Sequence, residues 1–78
     1  DTNAAIKSYK CAIKIRPDYS EAFNNMGIAL KGNGDLAAAV DSYKNAIRVK
    51  PNFAEAHNNM GNALFERIWA MLSSRVKK

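Results

Sequence analysis

Apolar side chains recur at helical spacing along most of the chain. Over residues 19–31, the side of a helical wheel opposite Glu21 and Asn25 carries six small or apolar residues: Ala22, Phe23, Met26, Gly27, Ala29 and Leu30. Apolar residues also recur every three or four positions over residues 1–15 and 36–49. The pattern predicts three amphipathic helices, each of which buries one side.

Residues that break helices separate these segments. The glycine-rich stretch 32–34 tolerates the positive φ of a tight turn, and Asp35 can cap the helix that follows. Pro17 and Pro51 close the other two segments, because proline cannot continue a helix. The chain is therefore predicted to form helical hairpins.

A repeat of thirty-four residues organises the chain. When residues 1–30 are set against residues 35–64, seventeen of the thirty positions are identical, and most mismatches are conservative. Self-similarity at a fixed period is typical of solenoid proteins built from one duplicated unit. We expect each unit to be two helices, with residues 1–16 the second helix of an incomplete repeat and residues 17–50 a complete repeat.

The third segment departs from the repeat. Residues 65–69 occupy the positions that hold the glycine-rich turn and Asp35 one unit earlier, so no break is encoded there. The helix formers that follow predict one long helix from about Asn52 to about Arg75. Residues 51–78 are thus expected to be the first helix of the next repeat, continued into a long C-terminal helix. The whole chain, 1–78, is expected to be a single domain.

The predicted extension of the last helix is apolar on most sides, which an isolated solvated helix should not be. The first helix also lacks a preceding helix in this chain, and solenoid units cannot bury their faces alone. Either the chain is a fragment of a longer array, or these surfaces meet between copies in a dimer or a domain swap. We expect a homo-oligomer whose main contacts are Phe65, Ile68, Trp69 and Leu72.

Length and composition exclude several classes of protein. With 78 residues the chain is too short for a large enzyme, and its longest uncharged run is too short to span a bilayer. One cysteine and one histidine neither form an internal disulfide nor make a metal site, so no cofactor is expected. The single cysteine favours a reducing, cytoplasmic compartment.

The chain is basic, with twelve lysine and arginine residues against seven acidic residues and a formal charge of +5. Half of these cations lie on the predicted second helices, at the spacing of a solvated face: Lys7, Lys10, Lys14, Lys44, Arg48 and Lys50. A nucleic-acid site would interleave such a stripe with exposed stacking aromatics, but Tyr9 and Tyr43 are assigned to the core. We therefore expect neither a nucleic-acid partner nor a membrane partner.

No group of residues indicates catalysis. His57 aligns with Phe23 and is expected to pack, half-buried, between helices, and it lacks an acid or base partner. Cys11 has no neighbouring group that would activate its thiol. The pair Ser73 and Ser74 is expected to end a helix. The chain is predicted not to be an enzyme.

Residues at fixed places in this unit resemble the signature of the tetratricopeptide repeat (TPR) family: Phe23, Met26, Gly27, Leu30, Ala39, Tyr43, Ala46 and Pro51. The resemblance covers about residues 1–64. It implies an all-α fold in which antiparallel helical hairpins stack as a fragment of a right-handed TPR solenoid, with about four helices and the last one extended. It also implies a scaffold that binds other proteins.

The resemblance further implies a binding face, since first helices line the concave side of the TPR superhelix. Asn25 and Asn59 match the asparagine ladder in the repeat region of O-linked N-acetylglucosamine transferases. A row of carboxamides can pair with the main-chain groups of an extended peptide whatever its side chains. The residues expected to bind a peptide or partner protein are Asn24, Asn25, Ile28, Lys31, Asn58, Asn59 and Asn62.

Two alternative functions stay open. In the first, the chain is a structural element that assembles with itself. In the second, it is a targeting segment of a larger enzyme such as a glycosyltransferase. A groove that grips the carboxylate of a protein tail is less favoured, because Lys31 is the only cation on this face and both Glu21 and Glu55 oppose a carboxylate.

Overall fold

The computed structural model describes residues 1–76, which form four α-helices. The helices are Thr2–Ile15 (α1), Ser20–Gly32 (α2), Leu36–Val49 (α3) and Ala54–Val76 (α4). Successive helices pack on one another as antiparallel hairpins, and residues 1–76 contain no strand. The predicted all-α solenoid fragment of four helices, with the last one extended, is confirmed.

The turn between α2 and α3 depends on one glycine. Gly34 has a φ of 85°, in the left-handed region that residues with a Cβ rarely adopt. Its amide donates to the carbonyl oxygen of Lys31 at 2.9 Å, and the amide of Asp35 donates to that of Leu30 at 3.0 Å, which is the Schellman pattern. The carboxylate of Asp35 then accepts from the amide of Ala38 at 3.2 Å. Both the predicted turn and the predicted cap are therefore confirmed.

No such turn interrupts α4. Residues 65–69 carry neither a glycine nor a capping aspartate, and α4 runs for 23 residues, or about 35 Å, against 13 residues for α2. The second half of α4 therefore projects beyond α2, the equivalent helix of the preceding unit. The large apolar side chains of this extension are 50% to 70% exposed: Phe65, Ile68, Trp69, Met71 and Leu72.

Helix α3 is the central helix of the core. Two clusters of buried residues lie along it, and both include residues from α3 and α4. The first cluster consists of Phe23, Ala46, Phe53 and Ala56. The second consists of Ala39, Val40, Tyr43 and Ala63. Because alanine holds many of these positions, the helix backbones can approach closely and bury the larger side chains between them.

Helices α2 and α3 approach each other closely at Gly27. A Cβ placed on Gly27 would lie within 2.9 Å of three ring atoms of Tyr43, so the ring occupies the space that any other residue would fill. Gly61 holds the same position one unit later, and a Cβ placed there would have no neighbour within 4 Å. The two equivalent glycines therefore differ: one is covered by a tyrosine and the other is open.

The prediction for His57 is wrong. Its side chain is exposed, and Nε2 donates to the carbonyl oxygen of Pro51 at 2.8 Å instead of packing between helices. The equivalent Phe23 is buried because α3 and α4 cover it. Within residues 1–76 no helix covers the corresponding side of α4, since α4 continues straight where α2 turns back into α3.

The two glycines predict opposite effects of the same substitution. Alanine favours a helix over glycine by about 1 kcal/mol, so Gly61→Ala is expected to raise the free energy of unfolding by up to that amount. Gly27→Ala gains the same propensity but overpacks the ring of Tyr43, which typically costs about 1–3 kcal/mol, so the free energy of unfolding should fall. Urea unfolding followed by circular dichroism in dilute solution measures both. Equal changes at the two positions would contradict the packing described above.

Tyr43 predicts how stability depends on alkaline pH. Burial, and to a smaller extent the negative charge of Glu66, raise the pKa of the Tyr43 hydroxyl above its usual value of 10.0. The neutral form is therefore favoured in the folded state, and this contribution is complete below pH 10 and lost as pH rises through the raised pKa. Tyr43→Phe should reduce the loss of stability above pH 10, measured as the melting temperature across pH 8–11. Tyr19→Phe, which removes the hydroxyl of a half-buried tyrosine outside the two core clusters, is the matched control. An alkaline loss of stability that is the same in Tyr43→Phe and in the unmodified chain would contradict the prediction.

Candidate functional site

The residues predicted to bind a peptide lie on α2 and on the first half of α4, which are the first helices of consecutive units. The two helices contact each other directly, so their exposed sides form one continuous face. Four of the predicted residues are exposed on it: Asn25, Ile28, Asn58 and Asn62. Lys31 and Asn59 are half-buried, and Asn24 is buried.

Asn24 lies in the contact between α2 and α4. Its side chain is 2% exposed, and its Oδ1 accepts a hydrogen bond from Nδ2 of Asn59 at 3.1 Å. A ligand cannot reach it, so the expectation that Asn24 contacts a peptide is corrected: its carboxamide links the two helices. A hydrogen bond of this kind typically contributes about 0.5–1.5 kcal/mol.

The bond to Asn24 determines which hydrogen-bonding groups of Asn59 remain for another partner. Asn59 gives one of its amide hydrogens to Asn24 and remains half-buried, which leaves its carbonyl oxygen and its second amide hydrogen for another partner. Because one bond already fixes the carboxamide, little rotamer entropy remains to be lost when a ligand binds. Asn25, the equivalent residue one unit earlier, is exposed.

The positive charge on this face is neutralised. Nζ of Lys31 lies 2.9 Å from Oε2 of Glu66, and both side chains are partly exposed, so the pair contributes about 0–1 kcal/mol to stability. The single cation predicted for the face is therefore already paired. Glu21 and Glu55 are exposed beside it. The face thus favours a neutral or basic ligand over an acidic one.

Glu66 was missed by the sequence analysis, which assigned it only to the extension of α4. A usable signal exists in the spacing. The pair Asn24 and Asn59 is 35 positions apart, and Lys31 and Glu66 are also 66 − 31 = 35 positions apart. One repeat plus one residue is thus the offset at which consecutive first helices touch, and complementary side chains at that offset mark the contact.

Other residues with reactive side chains stand alone. Cys11 is exposed and unpaired with another cysteine, and His57 contacts a backbone carbonyl. Within residues 1–76 there is no group of three or more histidine, cysteine or acidic residues placed to hold a metal ion. None of the helices in that part of the chain combines the length and hydropathy needed to cross a membrane.

The helical unit and its length match a known family. The profile of the TPR repeat matches residues 1–34 and again residues 33–67. The chain belongs to the TPR-repeat family. TPR repeats generally mediate interactions between proteins and are typically without catalytic activity, so protein partners are expected for this chain. No curated protein matches the chain.

Proposed function

We propose that this TPR fragment binds an extended peptide, or an extended segment of a partner protein, along the exposed face of α2 and α4. The bond between Asn24 and Asn59 is the observation that carries the proposal. It holds the carboxamide of Asn59 at the edge of the two helices with a donor and an acceptor still free. A peptide main chain offers the complementary carbonyl and amide groups.

The side chains around this amide suit a ligand recognised mainly by its backbone. Asn25, Asn58 and Asn62 are exposed and can each donate and accept, while Ile28 supplies the apolar contact, with 46% of its surface exposed. Because Glu66 pairs with Lys31, no free cation is centred among these residues. We therefore propose a neutral or basic extended segment as the ligand, and not an acidic tail.

Replacing both carboxamides tests the proposal. Asn25→Ala combined with Asn59→Ala should keep the helical circular dichroism and weaken binding about fivefold or more, since two hydrogen-bonding groups are lost, each worth about 0.5–1.5 kcal/mol. The probe is a labelled library of unrelated peptides of about twelve residues, from which the tightest binder is titrated by fluorescence anisotropy.

Asn52→Ala is the matched control, because Asn52 is an exposed asparagine in the turn before α4 and off this face. It should leave the affinity unchanged. If the double variant binds the selected peptide as tightly as the unmodified chain, the carboxamides do not carry recognition. If the double variant loses both binding and helicity, the titration is repeated with Asn25→Ala alone, which leaves the hydrogen bond between Asn24 and Asn59 in place.

The exposed extension of α4 favours a second function, self-association. Phe65, Ile68, Trp69 and Leu72 are each at least half exposed, and patches of this kind typically mark sites of protein contact. Trp69 and Leu72 lie three positions apart, so they share one side of the helix. We propose this extension as a contact between copies.

Trp69→Ala combined with Leu72→Ala should abolish any contact between extensions, seen by light scattering as a fall in mass towards the 8.6 kDa of the monomer. Ile28→Ala is the control, because Ile28 is an exposed apolar residue, 46% accessible, that lies on α2 and away from the extension. A mass that is identical in the double variant and in the unmodified chain would exclude the extension as the contact.

A third proposal is that the fragment acts as a targeting segment of a larger enzyme such as a glycosyltransferase. It rests on the resemblance of Asn25 and Asn59 to the asparagine ladder of O-linked N-acetylglucosamine transferases. The chemistry would then lie outside these residues, and the face on α2 and α4 would select the protein to be modified.

A further inference from the structure

At each end of the stack, one helix exposes residues whose equivalents are buried inside the stack. Helices α1 and α3 occupy equivalent places, and each has a helix packed after it, but only α3 has one packed before it. Ser42 is buried, whereas the equivalent Ser8 is exposed. Tyr43 is 1% exposed, whereas Tyr9 is only half-buried. The side of α1 that carries Ser8 and Tyr9 is therefore the side that α2 covers on α3.

Helix α4 shows the complementary deficit. Gly61 is open where Gly27 is covered by a tyrosine ring, and Asn58 is exposed where Asn24 is buried and accepts a hydrogen bond. We call the side of α4 around Asn58 and Gly61 the Gly61 surface. On α2, the equivalent side is filled by α3 and α4 of the same chain.

One shift of the repeat brings the unfilled positions together. Gly27 is covered by the ring of Tyr43, which is 43 − 27 = 16 positions later in the sequence. Asn24 accepts a hydrogen bond from Asn59, which is 35 positions later. Suppose that a second copy is numbered as a continuation of the first, so that its residue 1 takes position 69. Its Tyr9 then takes position 77, which is 16 positions after Gly61. Its Asn25 then stands at 93, which is 35 positions after Asn58. Both missing contacts are satisfied by the same placement.

These partners cannot meet within one chain, because α1 and α4 lie at opposite ends of the stack and do not touch. We infer that the Gly61 surface of one copy binds α1 and α2 of a second copy, head to tail, with Tyr9 of the second copy over Gly61 and the Asn25 amide of the second copy donating to Asn58. This site uses the first half of α4 and does not involve the projecting apolar extension, but it shares Asn25 and Asn58 with the proposed peptide-binding face.

The internal contact of α2 with α3 is the template for this interface. Helix α1 is identical to α3 at seven of fourteen positions, including Ala5, Ser8, Tyr9 and Ala12, which correspond to buried residues of α3. A glycine and a tyrosine at the meeting point are already known to fit, since Gly27 and Tyr43 form the same pair. A second copy of this chain is therefore the occupant whose shape the Gly61 surface matches.

A head-to-tail contact has a distinctive assembly. The two surfaces differ, so each copy that binds leaves one surface of each kind free, and the assembly stays open unless its rotation closes a ring. A dimer formed by two copies of α4 would instead be closed and would stop at two chains. The weight-average mass as a function of concentration separates these cases.

Two variants block opposite surfaces without touching the fold of a single chain. Ser8→Arg adds a long side chain at an exposed position whose equivalent, Ser42, is buried. Gly61→Gln adds bulk where no atom lies within 4 Å of a Cβ, and it replaces a poor helix former. The controls are Ser8→Ala, which adds no bulk, and Asn62→Gln at the neighbouring exposed residue, whose equivalent Ile28 stays exposed when α2 is packed.

For the unmodified chain, light scattering between about 10 and about 500 μM should show a mass that rises continuously beyond twice 8.6 kDa. Ser8→Arg alone and Gly61→Gln alone should each associate at least tenfold more weakly. Their equimolar mixture should form a dimer and stop there, because the unblocked Gly61 surface of one variant binds the unblocked α1 of the other. Both controls should behave like the unmodified chain.

Three outcomes would overturn the inference. They are a monomeric mass for the unmodified chain at the highest concentration, a closed dimer that Ser8→Arg leaves intact, and a mixture of the two variants that stays monomeric. The second outcome would leave the contact through Trp69 and Leu72 standing, so the two failures are distinguishable. Should either variant lose its helical circular dichroism, amide chemical shifts of the unmodified chain during dilution give the same answer: they should change at both Ser8 and Gly61, and a change at one end only would overturn the inference.

Discussion

The close packing of Tyr43 on Gly27 is the contact on which the rest of the structure depends. Because the ring fills the space of a missing Cβ, α2 and α3 approach more closely than two helices with side chains at both positions could. That approach brings Ala46 of α3 into one cluster with Phe23 of α2, and the same helix then packs its other side on α4. The orientation of α2 relative to α4, and hence the face that carries Asn25 and Asn59, follows from how each of them packs on α3.

The same constraint explains why the two copies of the repeat are not equal in structure. Positions of α4 that are equivalent to those of α2 have no following helix within the described chain, so Gly61 is open and His57 is exposed. Burial in a solenoid is thus a property of the neighbour as much as of the residue. The glycine at position 61 lowers the helical propensity of α4 without a compensating contact inside one chain. A helix former would be more stable there unless something else used the space.

The helices and turns could be predicted from sequence, because they depend on patterns within one unit. The long α4 followed from the absence of a Gly34 equivalent at the end of its first half, and the fold followed from the period. The contacts between units could not be predicted in this way. Asn24 and Asn25 are neighbours in sequence and both polar, yet Asn24 is turned towards α4 and buried while Asn25 stays exposed, and only the lateral position of α4 decides between them. His57 was mispredicted for the same reason, since its expected burial assumed a helix that does not pack on it.

The proposed self-association and the proposed peptide binding share Asn25, and the geometry of Asn59 indicates that they need not compete. Asn59 donates one amide hydrogen to Asn24 and still has an acceptor and a donor free. Asn25 in a head-to-tail assembly would donate to Asn58 of the preceding copy and would keep the same groups free. Its carboxamide would then be fixed as that of Asn59 is, and the row of oriented carboxamides would continue from one copy to the next. A peptide long enough to span the junction would bind more tightly to the assembly than to a single chain, and by linkage it would favour the assembly by the same free energy.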